Sequence, residues 1–590
     1  MSQRQRAKTQ GSSLKVAWQG IRWKKVQRHV FRLQKRIYQA AQRGDVRTVH
    51  KLQKLLVKSW YARLLAVRRI TQDNKGRHTA GIDGAKSLSP PQRWRLANEI
   101  RLDGKATPLR RIWIPKRGST TDKRPLGIPT QSDRARQTLV RQALEPEWEA
   151  KLSAHTYGFR PGRSCHDAIG AIFTAIRYRP QFALKLDIAK CFDRIDHPAL
   201  LAKVQAPPLI RRQLKAWLKA GILEDDHFSP TTAGTPQGGS CSPLLALIAL
   251  HGMDEAITQV YPQARVIAYA DDGVVLHEDR QVLEQCQDLL KTWLAKMGLS
   301  LNEAKSSIRH TLEGDQPGFT FLGFNIRQYR VGKHQSGKGP GGHRRLGYKT
   351  LIKPDKVNVK DHLAELDRII ERGKALPQSL LIHQLNPKIR GWANYYRTGV
   401  SQAVYGRLDH LTWIKLRHWA RWRHPKKSTA WAIRRYWHRL GARLTFATSA
   451  TDPDAVHLRL HSEVTITRHV KVQGHRSPYE GDWVYWSTRQ GRHPTLSARL
   501  ARLLKTQRGR CRYCGLFFQH DDRIEVDHIN GNHQDSRFAN LQALHGHCHH
   551  AKTREQGDYL PPGVRDKHRD TEERSARKRA RSDLEQRWME

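Results

Sequence analysis

Val266-Ile267-Ala268-Tyr269-Ala270-Asp271-Asp272-Gly273-Val274-Val275-Leu276 sets two adjacent carboxylates between two runs of apolar, β-favouring residues. The pattern reads as two strands joined by a tight turn, with both aspartates at the tip. Two like charges side by side are costly unless solvated or bound to a cation, so the turn points to a divalent metal. Mg2+ takes oxygen ligands and completes its shell with phosphates and water. An acidic surface hairpin is the plainer reading of the turn taken alone. Upstream, Phe182-Ala183-Leu184-Lys185-Leu186-Asp187 is a short apolar strand ending in a third carboxylate, and a predicted helix follows through Cys191, Phe192 and Asp193. Asp187 beside the hairpin would supply the bridging carboxylate of a two-metal site, with ions about 4 Å apart for in-line phosphoryl transfer. Between the two lies Gly234-Thr235-Pro236-Gln237-Gly238-Gly239-Ser240-Cys241-Ser242-Pro243, a glycine-rich turn leading into the helical run Leu244 to Leu250. Its glycines are expected to let backbone approach a base pair or a phosphate closely.

In chain order these motifs resemble the group II intron-encoded reverse transcriptases, also called maturases. The matching segments begin with Gly81-Ile82-Asp83-Gly84, Arg124-Pro125-Leu126-Gly127-Ile128-Pro129 and Tyr157-Gly158-Phe159-Arg160-Pro161. The Asp187 strand, the Pro236-Gln237-Gly238 turn and the Tyr269 to Asp272 hairpin follow, and Gly298-Leu299-Ser300-Leu301-Asn302-Glu303-Ala304-Lys305 and Phe321-Leu322-Gly323 close the series. The resemblance implies an RNA-directed DNA polymerase using Mg2+, with Asp187 and Asp271 as metal ligands and Asp272 as the third carboxylate. A primer 3′ hydroxyl would attack the α-phosphate of a deoxynucleotide and release pyrophosphate, a reaction that needs positioning and charge neutralisation more than covalent chemistry. Phe192, five residues after Asp187, matches the aromatic that collides with a ribose 2′ hydroxyl; plain core packing is the alternative. Lys116 and Arg124 match residues that hold the incoming triphosphate, Gln237 the contact to the templating pair, and Phe321-Leu322-Gly323 the primer end. Lys305 would contact nucleotide or primer.

Lys and Arg total 106 against 53 acidic residues in 590, a net charge of +53. That excess exceeds what solubility needs and points to a polyanionic partner. The basic residues are spread along the chain, as a long surface for a folded RNA requires. A membrane partner is not expected, because no apolar run reaches 18 residues and no lipidation signal is present. Of seven cysteines, Cys165, Cys191, Cys241 and Cys286 are scattered, while Cys511, Cys514 and Cys548 cluster. This is a pattern for a reducing compartment with a local metal site rather than a disulfide framework. The first 44 residues hold no acid, as in a transit peptide. Yet Trp23, Val26, Val30, Leu33 and Ile37 step by three and four, and Val49, Leu52, Leu56 and Trp60 form a second periodic stretch. An integral helical pair that also grips RNA is the reading adopted.

The expected architecture is a multidomain α+β chain. It comprises a basic helical N-terminal extension (1–75), right-hand polymerase fingers and palm (76–340), a helical thumb/maturase domain (341–440), a DNA-binding segment assigned by position (441–500), and a small zinc-bound ββα-type domain with a basic tail (501–590). Gly332 to Gly342 is read as a flexible breaker. Trp392, Trp413, Trp419, Trp422, Trp431 and Trp437 lie among Arg417, Arg421, Arg423, Lys426, Lys427, Arg434, Arg435 and Arg439. Tryptophans at helical spacing usually serve the core, whereas the arginines suit bidentate contacts to phosphate. The resemblance assigns this region to holding and splicing the intron.

At the C-terminal end, Cys511-x-x-Cys514 and His545-x-x-Cys548 have the spacing of a tetrahedral zinc set, needed where a segment is too short and polar to fold on apolar contacts. His547 and His550 remain open as substitute ligands. The segments Glu525-Val526-Asp527-His528-Ile529, Asn540-Leu541-Gln542 and Cys548-His549-His550-Ala551-Lys552-Thr553 resemble the HNH endonucleases. By that resemblance His528 activates water, Asp527 and His549 hold a Mg2+, and Asn540 braces the loop. The whole implies a mobile-intron protein that binds its intron RNA, assists splicing, nicks target DNA and reverse-transcribes from the nick with deoxynucleotides. Its expected location is cytoplasmic, with the nucleoid or a ribonucleoprotein. The rivals are a non-catalytic splicing cofactor and a host-adapted reverse transcriptase without intron mobility.

Overall fold

A computed structural model describes residues 17–115, 122–452, 454–490, 496–519 and 522–557. Contacts divide the chain into two units, residues 1–509 with 519–521, and residues 510–518 with 522–590.

In the first unit, Val26, Val30, Leu33 and Ile37 line one face of the helix Trp23–Gln42 and are all buried. Asp45 starts the next helix, Val46–Lys58, by accepting a hydrogen bond from Thr48 N at 3.0 Å, which satisfies an otherwise orphaned donor. These helices bury their apolar stripes in the same core as Leu139, Val140 and Ala143 of the helix Gln131–Lys151. The expected N-terminal extension is therefore built into the body, because an amphipathic helix must cover its stripe and this one covers it here.

The strands are short. β1 (Leu109–Pro115) and β2 (Lys123–Ile128) form an antiparallel hairpin. β3 (Phe182–Asp187) stands apart from them, and β4 (Ile222–Glu224) and β5 (His227–Ser229) extend the first sheet to the order β2-β1-β4-β5. β6 (Arg265–Tyr269), β7 (Asp272–His277) and β8 (Ser307–His310) join β3 in a second sheet of order β6-β7-β3-β8. Leu184 and Leu186 of β3 are buried in the core shared with the N-terminal helices, and Ala183 in the core behind.

β9 (Phe319–Phe321), β10 (Phe324–Arg330) and β11 (Tyr348–Pro354) make a third sheet. β10 and β11 pair from Phe324 opposite Pro354 to Arg330 opposite Tyr348, so the Gly332 to Gly342 stretch is the connection of a hairpin. The expected boundary at 340/341 falls inside that loop. Glycine density marks a turn as readily as a linker, and the paired strands decide between them.

Four helices follow: Lys356–Arg372, Gln378–Tyr396, Gln402–Arg423 and Thr429–Tyr436. Their core holds Leu381, Leu385, Leu416, Trp419, Trp437 and Phe446. β12 (Trp437–Leu440) and β13 (Arg443–Phe446) form a hairpin across the expected 440/441 boundary, and its Phe446 ring meets Trp419 at 5.7 Å. The second unit contains β14 (Ile524–His528) and β15 (Leu541–His545), antiparallel, then the helix Gly546–Gly557. The helix Ala498–Thr506, which straddles the expected 500/501 boundary, belongs to the first unit.

Candidate active site

β6 and β7 meet with Tyr269 opposite Asp272, which leaves Ala270-Asp271 as a two-residue turn. Asp271 alone occupies the tip; Asp272 already belongs to β7 and pairs with Asp187 at the end of β3. That cross-strand pairing is what brings the third carboxylate to the other two. Ala270 takes φ +57°, a left-handed conformation unusual for a residue with a Cβ. The turn is pressed from outside by the Tyr157-Gly158 segment. Tyr157 N donates to Ala268 O at 2.9 Å, and a Cβ on Gly158 would come within 2.2 Å of Ala270 N.

Burial pushes the Asp272 carboxyl up to about 6, reinforced by the charges of Asp271 and Asp187. Burial also raises Asp271, again with Asp187 adding to it, while Arg124 opposes. Carboxylates that repel one another and are short of water make an oxygen-only donor set, which fits a hard divalent cation. Lys305 approaches this set, its Nζ 3.8 Å from Asp187 Oδ2. The loop that carries it is tied down by Asn302 N donating to Asp187 O at 2.8 Å and by Ala189 N donating to Ser300 O at 2.9 Å.

Phe192 lies on the short helix Cys191–Arg194, which starts after a left-handed Lys190. Its half-buried ring meets Phe159 edge-on at 6.0 Å. Arg124 is exposed on β2, opposite Ile114, and its charge reaches Asp271. Lys116 lies outside the described residues. The glycines of the Gln237 turn prove to serve the chain's own backbone. Gly234 packs on Phe192 O, where a Cβ would sit 2.6 Å away, and Gly238, at φ +123°, packs on Gly127 O, which a Cβ there would meet at 2.7 Å. Gly127 N donates to Gln237 O at 2.8 Å, and Ser240 N donates to Gln137 Oε1 at 2.8 Å. The turn thus wedges β2 and the Phe192 helix into one rigid frame beside the carboxylates, leaving the half-buried Gln237 side chain at its crest.

The tryptophans of the helical region are mostly core, as their spacing predicts. Trp392, Trp419 and Trp437 are buried, while Trp422 is exposed. Arg423 is not a free phosphate contact, because it donates to the carbonyls of Lys374 at 2.7 Å and Leu376 at 3.1 Å. Arg421, Arg434, Arg435, Arg439, Lys426 and Lys427 are exposed, and Arg417 lies half-buried over Trp413.

In the second unit, the ligand atoms of Cys511, Cys514, His545 and Cys548 all lie within 4.8 Å of one another. This set can hold a metal ion, and His545 rather than His547 or His550 completes it. His545 Nδ1 faces the sulfurs of Cys514 at 3.4 Å and Cys548 at 3.9 Å, while Nε2 lies 3.2 Å from Asp522 Oδ2. A ligating imidazole holding a carboxylate with its other nitrogen is the usual outer-shell arrangement.

Beside it, Asp527 and His528 end β14. His549 turns Nε2 towards Asp527 Oδ1 at 3.3 Å and donates from Nδ1 to Glu525 Oε2 at 2.5 Å. The Glu525 bond raises the His549 pKa against the effect of burial. Asn540 links the loop that follows β14, donating from Nδ2 to Asn530 Oδ1 at 2.8 Å and to Asp535 O at 2.9 Å.

Three positioning groups escaped the sequence reading. Glu525 stands two residues before Asp527 on one strand, so period-two alternation already puts both on one face. Lys552 donates to Asp527 Oδ2 at 2.6 Å and to His528 O at 2.7 Å. Asp522 carries no sequence signal at all.

Comparison with known proteins agrees along most of the chain. Family models match for the N-terminal domain of reverse transcriptase over residues 18–100 and for reverse transcriptase (RNA-dependent DNA polymerase) over 114–326. Others match for the group II intron maturase-specific domain over 359–437 and for HNH endonuclease over 511–555. Protein YkfC of Escherichia coli is 30% identical over 318 residues, 45% of this chain and 81% of that protein. The group II intron-encoded protein LtrA of Lactococcus lactis is 38% identical over 194 residues, 32% of each chain, so the match spans about a third of that relative. Maturase-like protein 1 of Euglena gracilis is 26% identical over 64% of this chain and 77% of its own. With polymerase, maturase and endonuclease parts in this order, the chain belongs to the group II intron-encoded reverse transcriptases that carry an HNH endonuclease domain.

Proposed function

We propose that the protein is an RNA-directed DNA polymerase that binds its group II intron RNA, assists splicing, and nicks target DNA to prime reverse transcription of the intron. The observation that carries the reading is the Asp187–Asp272 cross-strand pair beside a strained Ala270-Asp271 turn. On this reading the β6-β7-β3-β8 sheet is the palm, the β2-β1-β4-β5 sheet belongs to the fingers, and the helices from Lys356 to Tyr436 are the thumb and maturase part.

Asp187, Asp271 and Asp272 would hold Mg2+, which when bound neutralises charge on the attacking and leaving oxygens. Arg124 offers an exposed guanidinium to the triphosphate, and the Phe192 ring excludes a 2′ hydroxyl. Lys305, with its charge already beside Asp187, steadies primer or nucleotide. The exposed Arg421, Arg434, Arg435 and Arg439, with Lys426 and Lys427, suit the phosphates of the intron RNA.

In the second unit Cys511, Cys514, His545 and Cys548 would hold Zn2+, whose binding supplies folding energy that a core this small lacks. Asp527 and His549 fit a divalent ion, because Glu525 fixes the His549 tautomer and leaves Nε2 to ligate. His528 takes the proton of the attacking water, and its carbonyl is held by Lys552. Asp271→Ala and Asp272→Ala test the reading by primer extension on poly(rA)/oligo(dT) beside RNA filter binding. Extension is lost while RNA is retained; extension near wild type in both variants overturns it.

A further inference from the structure

Residues 469–489, part of the segment expected from position alone to contact DNA, are bonded to the polymerase body. Asp167 opens the helix Cys165–Ile176 and is fully buried. Its Oδ1 accepts from His469 Nε2 at 3.0 Å, from Val472 N at 2.8 Å and from Arg489 Nη2, while Oδ2 accepts from Ser164 N at 2.8 Å. Arg489 also donates from Nη1 to Gly162 O at 2.8 Å, and Trp486 lies so close to Gly162 that a Cβ there would meet its ring at 2.5 Å. Ser477 donates to Glu149 Oε2 at 3.2 Å, the carboxylate that takes Arg160 Nε at 2.7 Å, and Arg160 in turn donates to Thr156 O at 3.1 Å. Arg163 donates to Arg476 O at 3.2 Å. Every one of these bonds ends on residues 149–167, the stretch whose Tyr157 and Gly158 press on the Ala270-Asp271 turn.

We propose that residues 469–489 are a clamp whose His469, Ser477, Trp486 and Arg489 act as positioning residues for the polymerase centre, holding segment 156–167 so that Gly158 keeps Asp271 and Asp272 in metal-binding register. The inference rests on the polymerase reading for the identity of the centre. The link is physical and short. Arg489 reaches both Asp167 and Gly162, and Gly162 lies four residues beyond Gly158 on the same strapped loop.

The test uses the full chain with Arg489→Ala and His469→Ala. Mn2+ binding is read by the loss of its free-ion EPR signal, with Asp271→Ala defining the share due to the polymerase centre. Primer extension is titrated with Mg2+ in parallel. The Mn2+ dissociation constant and the Mg2+ midpoint rise about tenfold in Arg489→Ala, as for loss of an outer-shell partner, while extension at saturating Mg2+ recovers to about half of wild type. A stability role alone would lower extension at every Mg2+ concentration without moving either midpoint, and that result overturns the proposal. So do unmoved midpoints in a folded variant. If Arg489→Ala does not fold, His469→Ala, which removes the bond to Asp167 Oδ1 and leaves the guanidinium in place, decides by the same two midpoints. An inactive wild type would fault the polymerase reading, and the Mn2+ constants would still judge the clamp.

Discussion

Gly158→Ala should disable the polymerase without touching a metal ligand. The added methyl would sit 2.2 Å from Ala270 N, 2.8 Å from Tyr269 C and 2.9 Å from Ala270 Cα, all backbone atoms that cannot rotate away. Opening the 2.2 Å separation to an ordinary contact of 3.4 Å moves the turn by about 1.2 Å. A misplacement of about 1 Å in a reacting constellation costs on the order of 10²-fold in rate, or about 2.7 kcal/mol of barrier. The overpacking itself costs about 1–3 kcal/mol of stability, which a domain of this size survives. The assay is kcat for primer extension on poly(rA)/oligo(dT) at saturating Mg2+, with RNA filter binding and thermal melting as controls. Gly170→Ala is the matched control, since its nearest neighbour is Lys471 Cβ at 3.6 Å and the helix Cys165–Ile176 gains about 1 kcal/mol from alanine. If Gly158→Ala extends primers as fast as Gly170→Ala, the turn is not held from outside and the reasoning is wrong.

The pH behaviour of Asp272 follows from its shift. The native carboxyl is raised to about 6 from 3.8, so between those values the native state holds more protons than the unfolded chain and stability falls as pH rises. In EDTA, Asp272→Asn therefore melts higher than wild type above pH 6 and loses that advantage below pH 4; equal melting points across the range would refute the burial argument. If the proposed zinc assignment holds, Cys511→Ser with Cys514→Ser should lose the metal and unfold only residues 510–557, leaving primer extension intact, as elemental analysis and limited proteolysis would report. Phe192→Val should raise rNTP relative to dNTP incorporation, and an unchanged ratio would return the ring to a packing role beside Phe159. Lys552→Met should cut DNA nicking about 10–100-fold through Asp527 and the His528 carbonyl while zinc content is unchanged.

Much of the chemistry was legible because it lies in short stretches. The apolar, β-favouring runs before Asp187 and around Asp271-Asp272 predict strands meeting at acids, and CxxC with HxxC predicts a four-ligand set, since local spacing alone suggests those geometries.

What tertiary structure alone decided is everything that depends on which distant segments meet. That Asp272 stands opposite Asp187 is a matter of strand register, which sequence constrains only through the burial of one face. That the glycines near Gln237 serve Gly127 and Phe192, and that Gly158 serves Ala270, could not be read from residues whose only property is a missing side chain. The stretch from 441 to 490 was the least legible, because its work is done by single polar residues such as Ser477 and Arg489 with no periodicity. A buried hydrogen bond needs a partner and leaves no pattern in the chain that supplies it, so the sequence by itself marked the candidate ligands and the mixed α/β class, and the tertiary structure determined what holds those residues still.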